Sequence, residues 1–302
     1  MGAISHPSAA GGLSRRALLL AAGGSGAALA APAPVDKPVP PVEVVYPRMP
    51  ERPTDAYPFQ LLKAALQASG RPHVLRLTDD ELPSMRAYKE LTGGQFNVMD
   101  TGAAPRMAEG ARVLPFPLDL GLSGYRVMLV RRDSLPRLRA VQTLEDLRTL
   151  RFGQGPDWVD NYILRAARLQ VVEAEFLALF RMLEAGRFDA FPLGADEAEM
   201  LLARFQSLAP SAVVVPDWCV HYRFARVFAV REDQTAVFDV LQEGLSRIFA
   251  DGRAQAILAR DPRVGPLVAG RRRLPARVFG IRNPQWAAAY QAIPEHLFFK
   301  QP

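Results

Sequence analysis

The chain has 302 residues, 49% of them apolar and 23% charged, which is the make-up of a globular protein with room for a sizeable core. One cysteine, Cys219, excludes an internal disulfide, and four scattered histidines (His6, His73, His221, His296) give no metal-ligand spacing and call for no cofactor. The net charge of +6 comes from arginines spread along the sequence, without the clustered basic face or motif of a nucleic-acid binder.

The N-terminus has the three-part order of an export signal. Arg15-Arg16 precede an apolar stretch from Ala17 to Ala30, and Ala28-Leu29-Ala30 end it with small residues. Ser14-Arg15-Arg16-Ala17-Leu18-Leu19 resembles a twin-arginine signal, with Leu20 where a lysine is usual, so twin-arginine and Sec export both stay open. Residues 1–30 are therefore expected to be cleaved, near Ala30, and residues 31–41 to form an extended Pro-rich start. Val42–Tyr46 reads as a first strand, Pro47–Pro58 as a loop, and Phe59–Ala68 as a helix stopped by Gly70. His73–Leu77 is a second strand and Met85–Leu91 a second helix. Phe96–Asp100 is a short strand that leads into Thr101-Gly102-Ala103-Ala104-Pro105.

Tyr125–Val130 is a continuous apolar run apart from Arg126, the pattern of a strand buried on both faces. Phe224–Val230, with Arg226 inside it, has the same character. We take these as two crossings between lobes. That gives a discontinuous first lobe, 42–127 and 225–302, and an inserted second lobe, 128–224. Thr143-Leu144-Glu145-Asp146 is a capping box that starts a helix. Arg151-Phe152 enters Gly153-Gln154-Gly155-Pro156-Asp157, where the glycines allow a tight turn and close approach to backbone. Asp157 is placed to cap the next helix, whose apolar face is Val159, Tyr162, Ile163, Ala166 and Ala167. A glycine turn at a helix N-terminus suits a carboxylate or another small anion, though it also serves as an ordinary strand–helix turn. After Val230 come helices over Ala236–Ala250 and Arg253–Arg260. Strands alternating with helices at this spacing predict an α/β protein of two lobes, each a mainly parallel sheet flanked by helices.

TLEDLRTLRFGQGPDW and ALFRMLEAGRFDAFPLGADEA, in this order and spacing, resemble the second lobe of type 2 periplasmic solute-binding proteins. The amino-acid-type binding proteins of ABC transporters (solute-binding family 3) are the nearest likeness. ELTGGQFNV (Glu90–Val98), with Asn97 where Asp is usual, and Arg106 followed by Val113–Pro117 resemble the first lobe. The resemblance implies a small ligand, an amino acid or another carboxylate, held between lobes that close by a hinge. It also implies a permease or membrane sensor as partner, and a monomer in the periplasm with no chemistry of its own. By position, Arg106 would grip the ligand carboxylate, although Ala103-Ala104-Pro105 replace the usual hydroxyl residues and leave Thr101 further back. Arg126 is a second candidate, and Asp196 or Glu197 would hold an amino group. Tyr46, Trp158, Gly155 and Asp157 complete the expected site. Two other readings stay open. One is an enzyme on the same fold, of dehydratase type, with Asp160, Glu173 and Glu175 as possible acids. The other is a sensor or adaptor whose pocket has degenerated.

Overall fold

The computed structural model describes residues 40–300, apart from 51–52, 106–108 and the side chains of Ser84 and Met85. The expected export segment and most of the Pro-rich start lie outside the described residues. The strands are β1 (Val42–Arg48), β2 (His73–Glu81), β3 (Val98–Gly102), β4 (Ala111–Val113), β5 (Tyr125–Arg131), β6 (Arg151–Gln154), β7 (Gln170–Glu173), β8 (Phe191–Gly194), β9 (Ala212–Val214), β10 (Trp218–His221), β11 (Arg226–Arg231) and β12 (Arg277–Gly280).

They sort into two groups. In the first, β1 and β2 run parallel, and β3 and β4 flank β11, which runs against both. In the second, β5 runs against β8, β9 and β10, while β12 lies parallel to β10. β6 is parallel to β7, and Phe152 bridges Ala190 in parallel just ahead of β8. The described strands thus make four hydrogen-bonded sheets of mixed direction, in which β11 runs against both of its neighbours and β5 against all three of its own. Helices cover the sheets. In the first lobe, the helices Tyr57–Ser69 and Thr235–Ala250 cross so closely at Gly244 that a Cβ there would collide with the carbonyl oxygen of Ala65.

Several elements follow the expected pattern for identifiable reasons. The first helix ends at Gly70, whose φ of 69° is the left-handed cap glycine adopts without strain. The Thr143 hydroxyl accepts a hydrogen bond from Asp146 N at 3.1 Å, and the Asp146 carboxylate accepts one from Thr143 N at 2.9 Å, the reciprocal box the sequence predicts. Asn97 donates to Glu43 O and accepts from Val45 N, each at 2.9 Å, and so stitches β1 to the start of β3. A carboxylate there could not donate to the Glu43 carbonyl. β5 alternates its burial, with Val127 and Leu129 in a core shared with the first lobe and Met128 and Val130 in a core on the opposite face. Both faces are covered, which is why its sequence reads as unbroken apolar residues.

Other expectations need correction. β1 continues past Pro47 to Arg48, with a register shift after Tyr46, instead of ending in a loop. β5 and β11 are not themselves the crossings. Tyr125 already pairs with His221 in the second lobe, and Arg226 with Gly102 in the first. The chain crosses just before each strand, over residues 118–124 and 222–225. The C-terminal region does not remain with the first lobe, since β12 is the edge strand of the second lobe's sheet. The chain then returns, and Phe299 N donates to Leu120 O at 2.7 Å, beside the first crossing. Arg272, within a run of three arginines that reads as a solvated loop, instead donates to Ala195 O at 2.6 Å and pairs with Glu199.

The two crossings are held by one buried carboxylate. Asp119 accepts from the backbone N–H of Gly121, Ser123 and Arg226, each at 3.0 Å, and from the Ser123 hydroxyl. The turn it closes has left-handed backbone at Leu120 (φ 54°) and Gly121 (φ 75°). A side chain at Gly121 would strike Phe298. Asp119→Ala would leave three backbone donors without their acceptor, and each buried unsatisfied group costs about 1–3 kcal/mol. We expect a loss of about 3 kcal/mol or more, read from urea denaturation; an unchanged midpoint would show that the crossings do not depend on this carboxylate.

Candidate functional site

A cavity of about 630 Å³ lies between the lobes. From the first lobe it receives Tyr57 and Pro58, at the start of a helix, with Arg226 and Arg263. The second lobe supplies Arg126, Trp158, Asp160 and Asp196, with the helices Phe176–Glu184 and Ala198–Phe205 forming a wall. Trp158, Phe176 and Phe205 face the cavity from an aromatic cluster. Trp158 stacks on Phe191, and Phe176 meets Phe205 edge-on at 5.5 Å.

Two matching triads, one from each lobe, lie beneath the cavity and reach its lining through Arg126, Asp160 and Arg226. In the second lobe Arg126 pairs with Asp160 at 3.1 Å, and the Tyr222 hydroxyl donates to the same carboxylate. In the first lobe Arg226 pairs with Asp100 at 3.0 Å, and the Tyr46 hydroxyl donates to that carboxylate. Both arginines sit at the start of the strand that follows a crossing. Burial opposes the charge of Arg126, but Asp160 and the neighbouring acids outweigh it and hold its pKa above the ordinary arginine value.

Arg126 is buried, and its Nε has no hydrogen-bond partner among the described residues. The same holds for Oδ1 of Asp196, whose residue is only 6% exposed. The two are neighbours, because Arg126 pairs across the sheet with Gly194 and Ala195 N donates to Tyr125 O at 2.8 Å. Oδ1 of Asp196 occupies the space that a Cβ on Gly194 would need.

The expected site residues separate into groups. Arg126, Trp158 and Asp196 meet at the one cavity. Tyr46 lies one step behind it, buried against Phe59 and acting through Asp100. Thr101 is buried within β3 opposite Val227. Gly155 stands behind Trp158, and the space its Cβ would fill is occupied by the indole of Trp158. Gly153 is filled in the same way by Phe188. These glycines therefore admit aromatic rings of the protein itself. Asp157 is exposed, with φ 60°, and lines a separate cavity of about 240 Å³ beside Pro105 and Tyr162. It does not cap the next helix, whose N-cap is Trp158. Arg106 lies outside the described residues.

That helix, Val159–Ala166, buries Asp160 and Asn161 and leaves Tyr162 59% exposed. The expected apolar face is thus rotated. Asp160 has Arg126 and Tyr222 as partners, and Asn161 donates to Gly155 O at 3.0 Å, which compensates for burying them. Asp100, Tyr222 and Arg263 escape sequence reasoning, because each acts through partners more than thirty residues away or through the cavity alone. Arg226 carries one signal: like Arg126, it is a charge inside an apolar run.

No protein-family model matches the chain, and no curated protein matches it in sequence. Solved structures do. One, described for glutathione import via GshT and the cystine ABC importer TcyBC of Streptococcus mutans, superposes with a TM-score of 0.53 at 12% identity, over 74% of this chain and 95% of its own. An amino acid ABC transporter substrate-binding protein from Streptococcus pneumoniae, bound to L-arginine, gives 0.51 at 14% identity, over 71% and 91%. A histidine kinase sensor domain with similarity to periplasmic binding proteins gives 0.52 at 20% identity, over 73% and 96%. The chain has the type 2 periplasmic-binding-protein fold. Among the described residues no helix is long and apolar enough to cross a membrane.

Burial, with Glu197 and Asp119 nearby, pushes the Asp196 carboxyl up from its ordinary 3.8 to about 7. Between these values the folded chain binds more protons than the unfolded one. The stability this group contributes is therefore complete below 3.8, declines as pH rises, and is gone above about 7. Asp196→Asn, neutral at every pH, should flatten that decline and stabilise the protein at pH about 8. Urea unfolding across the window tests this; variant and wild-type curves of equal slope would refute it.

Proposed function

We propose that the protein is an exported, monomeric solute-binding protein that captures a zwitterionic small molecule, an amino acid or a close relative, in the cavity between its lobes. One observation carries the reading: the floor holds a buried donor without an acceptor, Arg126 Nε, beside a buried acceptor without a donor, Asp196 Oδ1. A ligand carboxylate would supply the first and its ammonium group the second, as charge-assisted hydrogen bonds. The aromatic wall would take the side chain. The export signal pattern and the ABC-transporter relatives support capture in the periplasm and delivery to a permease. The sensor-domain relative supports a kinase as the alternative receiver of the same signal. Closure of the lobes about residues 118–124 and 222–225 would report occupancy to either.

An enzyme on the same fold is the second reading, favoured by Asp196, a cavity carboxyl placed to exchange protons near neutrality. Native mass spectrometry of protein purified from the periplasm separates the two. A small molecule that co-purifies and is recovered unchanged supports binding; one returned with altered mass after incubation supports chemistry.

Ligand affinity follows from Trp158 fluorescence, since Trp158 is the tryptophan that lines the cavity. Arg126→Gln combined with Asp160→Asn removes both charges of the pair and avoids an unpaired buried ion. The double variant should bind amino acids at least about tenfold more weakly. Unchanged affinity would remove Arg126 from the site.

A further inference from the structure

The floor of the cavity accounts for only part of its lining. At its rim stand two arginines, one from each lobe: Arg204, exposed at the end of the helix Ala198–Phe205, and Arg263, half-buried after the helix Arg253–Arg260. Neither has an ion-pair partner among the described residues, although those residues hold fifteen ion pairs, every one made by an arginine. Arg204 lies 5.3 Å from the ring centre of Phe205. Much of the remaining lining is apolar, with Phe176, Phe205, Met200 and Leu193, beside the carboxylate of Glu197.

Buried charges, a broad apolar lining and two unpaired, more exposed arginines together exceed what a short amino acid needs. The volume of about 630 Å³ is well inside the range of roughly 300–1,000 Å³ that holds drug-sized ligands. The floor arginines are neutralised by Asp160 and Asp100, so the cations left free in the cleft are those at the rim. A second anionic group reaching the rim would meet a guanidinium from each lobe and draw the lobes together.

We infer that the solute has two ends: an amino-acid head on the floor and, across an apolar midsection, a second carboxylate that Arg204 and Arg263 clamp at the rim. A side-chain-linked dipeptide has this chemistry. The inference rests on the amino-acid reading above and specifies its ligand class. Binding discriminates through the distal carboxylate, and Arg263 contributes from the lobe opposite the aromatic wall.

Isothermal titration with three probes tests it: L-glutamine (head alone), γ-glutamyl-phenylalanine (head, apolar middle and distal carboxylate) and γ-glutamyl-phenylalaninamide (the same with that carboxylate neutralised). The acid should bind at least about tenfold more tightly than its amide. Arg263→Gln, and separately Arg204→Gln, should cut that preference severalfold, and Arg263→Lys should retain part of it. Both positions lack ion pairs, so the variants are expected to fold, which thermal melts verify. If L-glutamine binds and the acid and amide bind alike, the inference falls while the amino-acid reading stands. If the preference survives both glutamine variants, the rim clamp is overturned. If no probe and no amino acid binds, both readings fall together.

Discussion

The position of the site depends on the Asp119 carboxylate, which joins two stretches of chain more than a hundred residues apart. Three of its partners belong to its own crossing, and the fourth is the backbone N–H of Arg226 at the end of the return crossing. That last bond fixes where β11 begins, and so where the Arg226 side chain enters the cavity. The interaction is buried, and its donors have no solvent to turn to if the carboxylate is removed. The left-handed backbone at Leu120, normally costly by about 1–2 kcal/mol for a side-chain-bearing residue, is held by the same cluster.

From this anchor the two triads acquire their meaning. Each places a tyrosine hydroxyl and an arginine on one aspartate, so that a charge inserted in an apolar strand is neutralised within its own lobe. The cleft is consequently preorganised without a ligand. What it lacks is specific: an acceptor for Arg126 and a donor for Asp196. Groups already satisfied contribute shape, and groups left unsatisfied contribute selectivity.

The fold was legible in the sequence wherever local chemistry decided it. The capping box at Thr143, the stop at Gly70 and the double-faced burial of β5 each follow from residues within a few positions of one another. The site was half legible. Arg126 is conspicuous because no arginine belongs in a buried apolar strand without a partner, and Trp158 and Asp196 lie at strand and helix boundaries that pattern can locate. The partners were not legible, because Asp160 reads as a solvated helix residue until Tyr222, sixty-two residues on, is seen to donate to it. The Gly-Gln-Gly turn misdirects for a similar reason. Its glycines do signal close approach, but what approaches is Phe188 and Trp158. The run of three arginines conceals Arg272 in the same way, since its acceptors Ala195 and Glu199 are more than seventy residues earlier.

The pairing of β12 with β10 also sets an order on assembly. During synthesis β10 has β5 on one side and nothing on the other until residues 277–280 have emerged. Through that interval the nascent second lobe presents an open strand edge, a template for pairing with another chain. The lobe cannot be excised as one continuous gene fragment without exposing that edge permanently. A chain stalled or clipped before Arg277 would be a hazard to its neighbours, because its sheet would invite the strand it failed to receive.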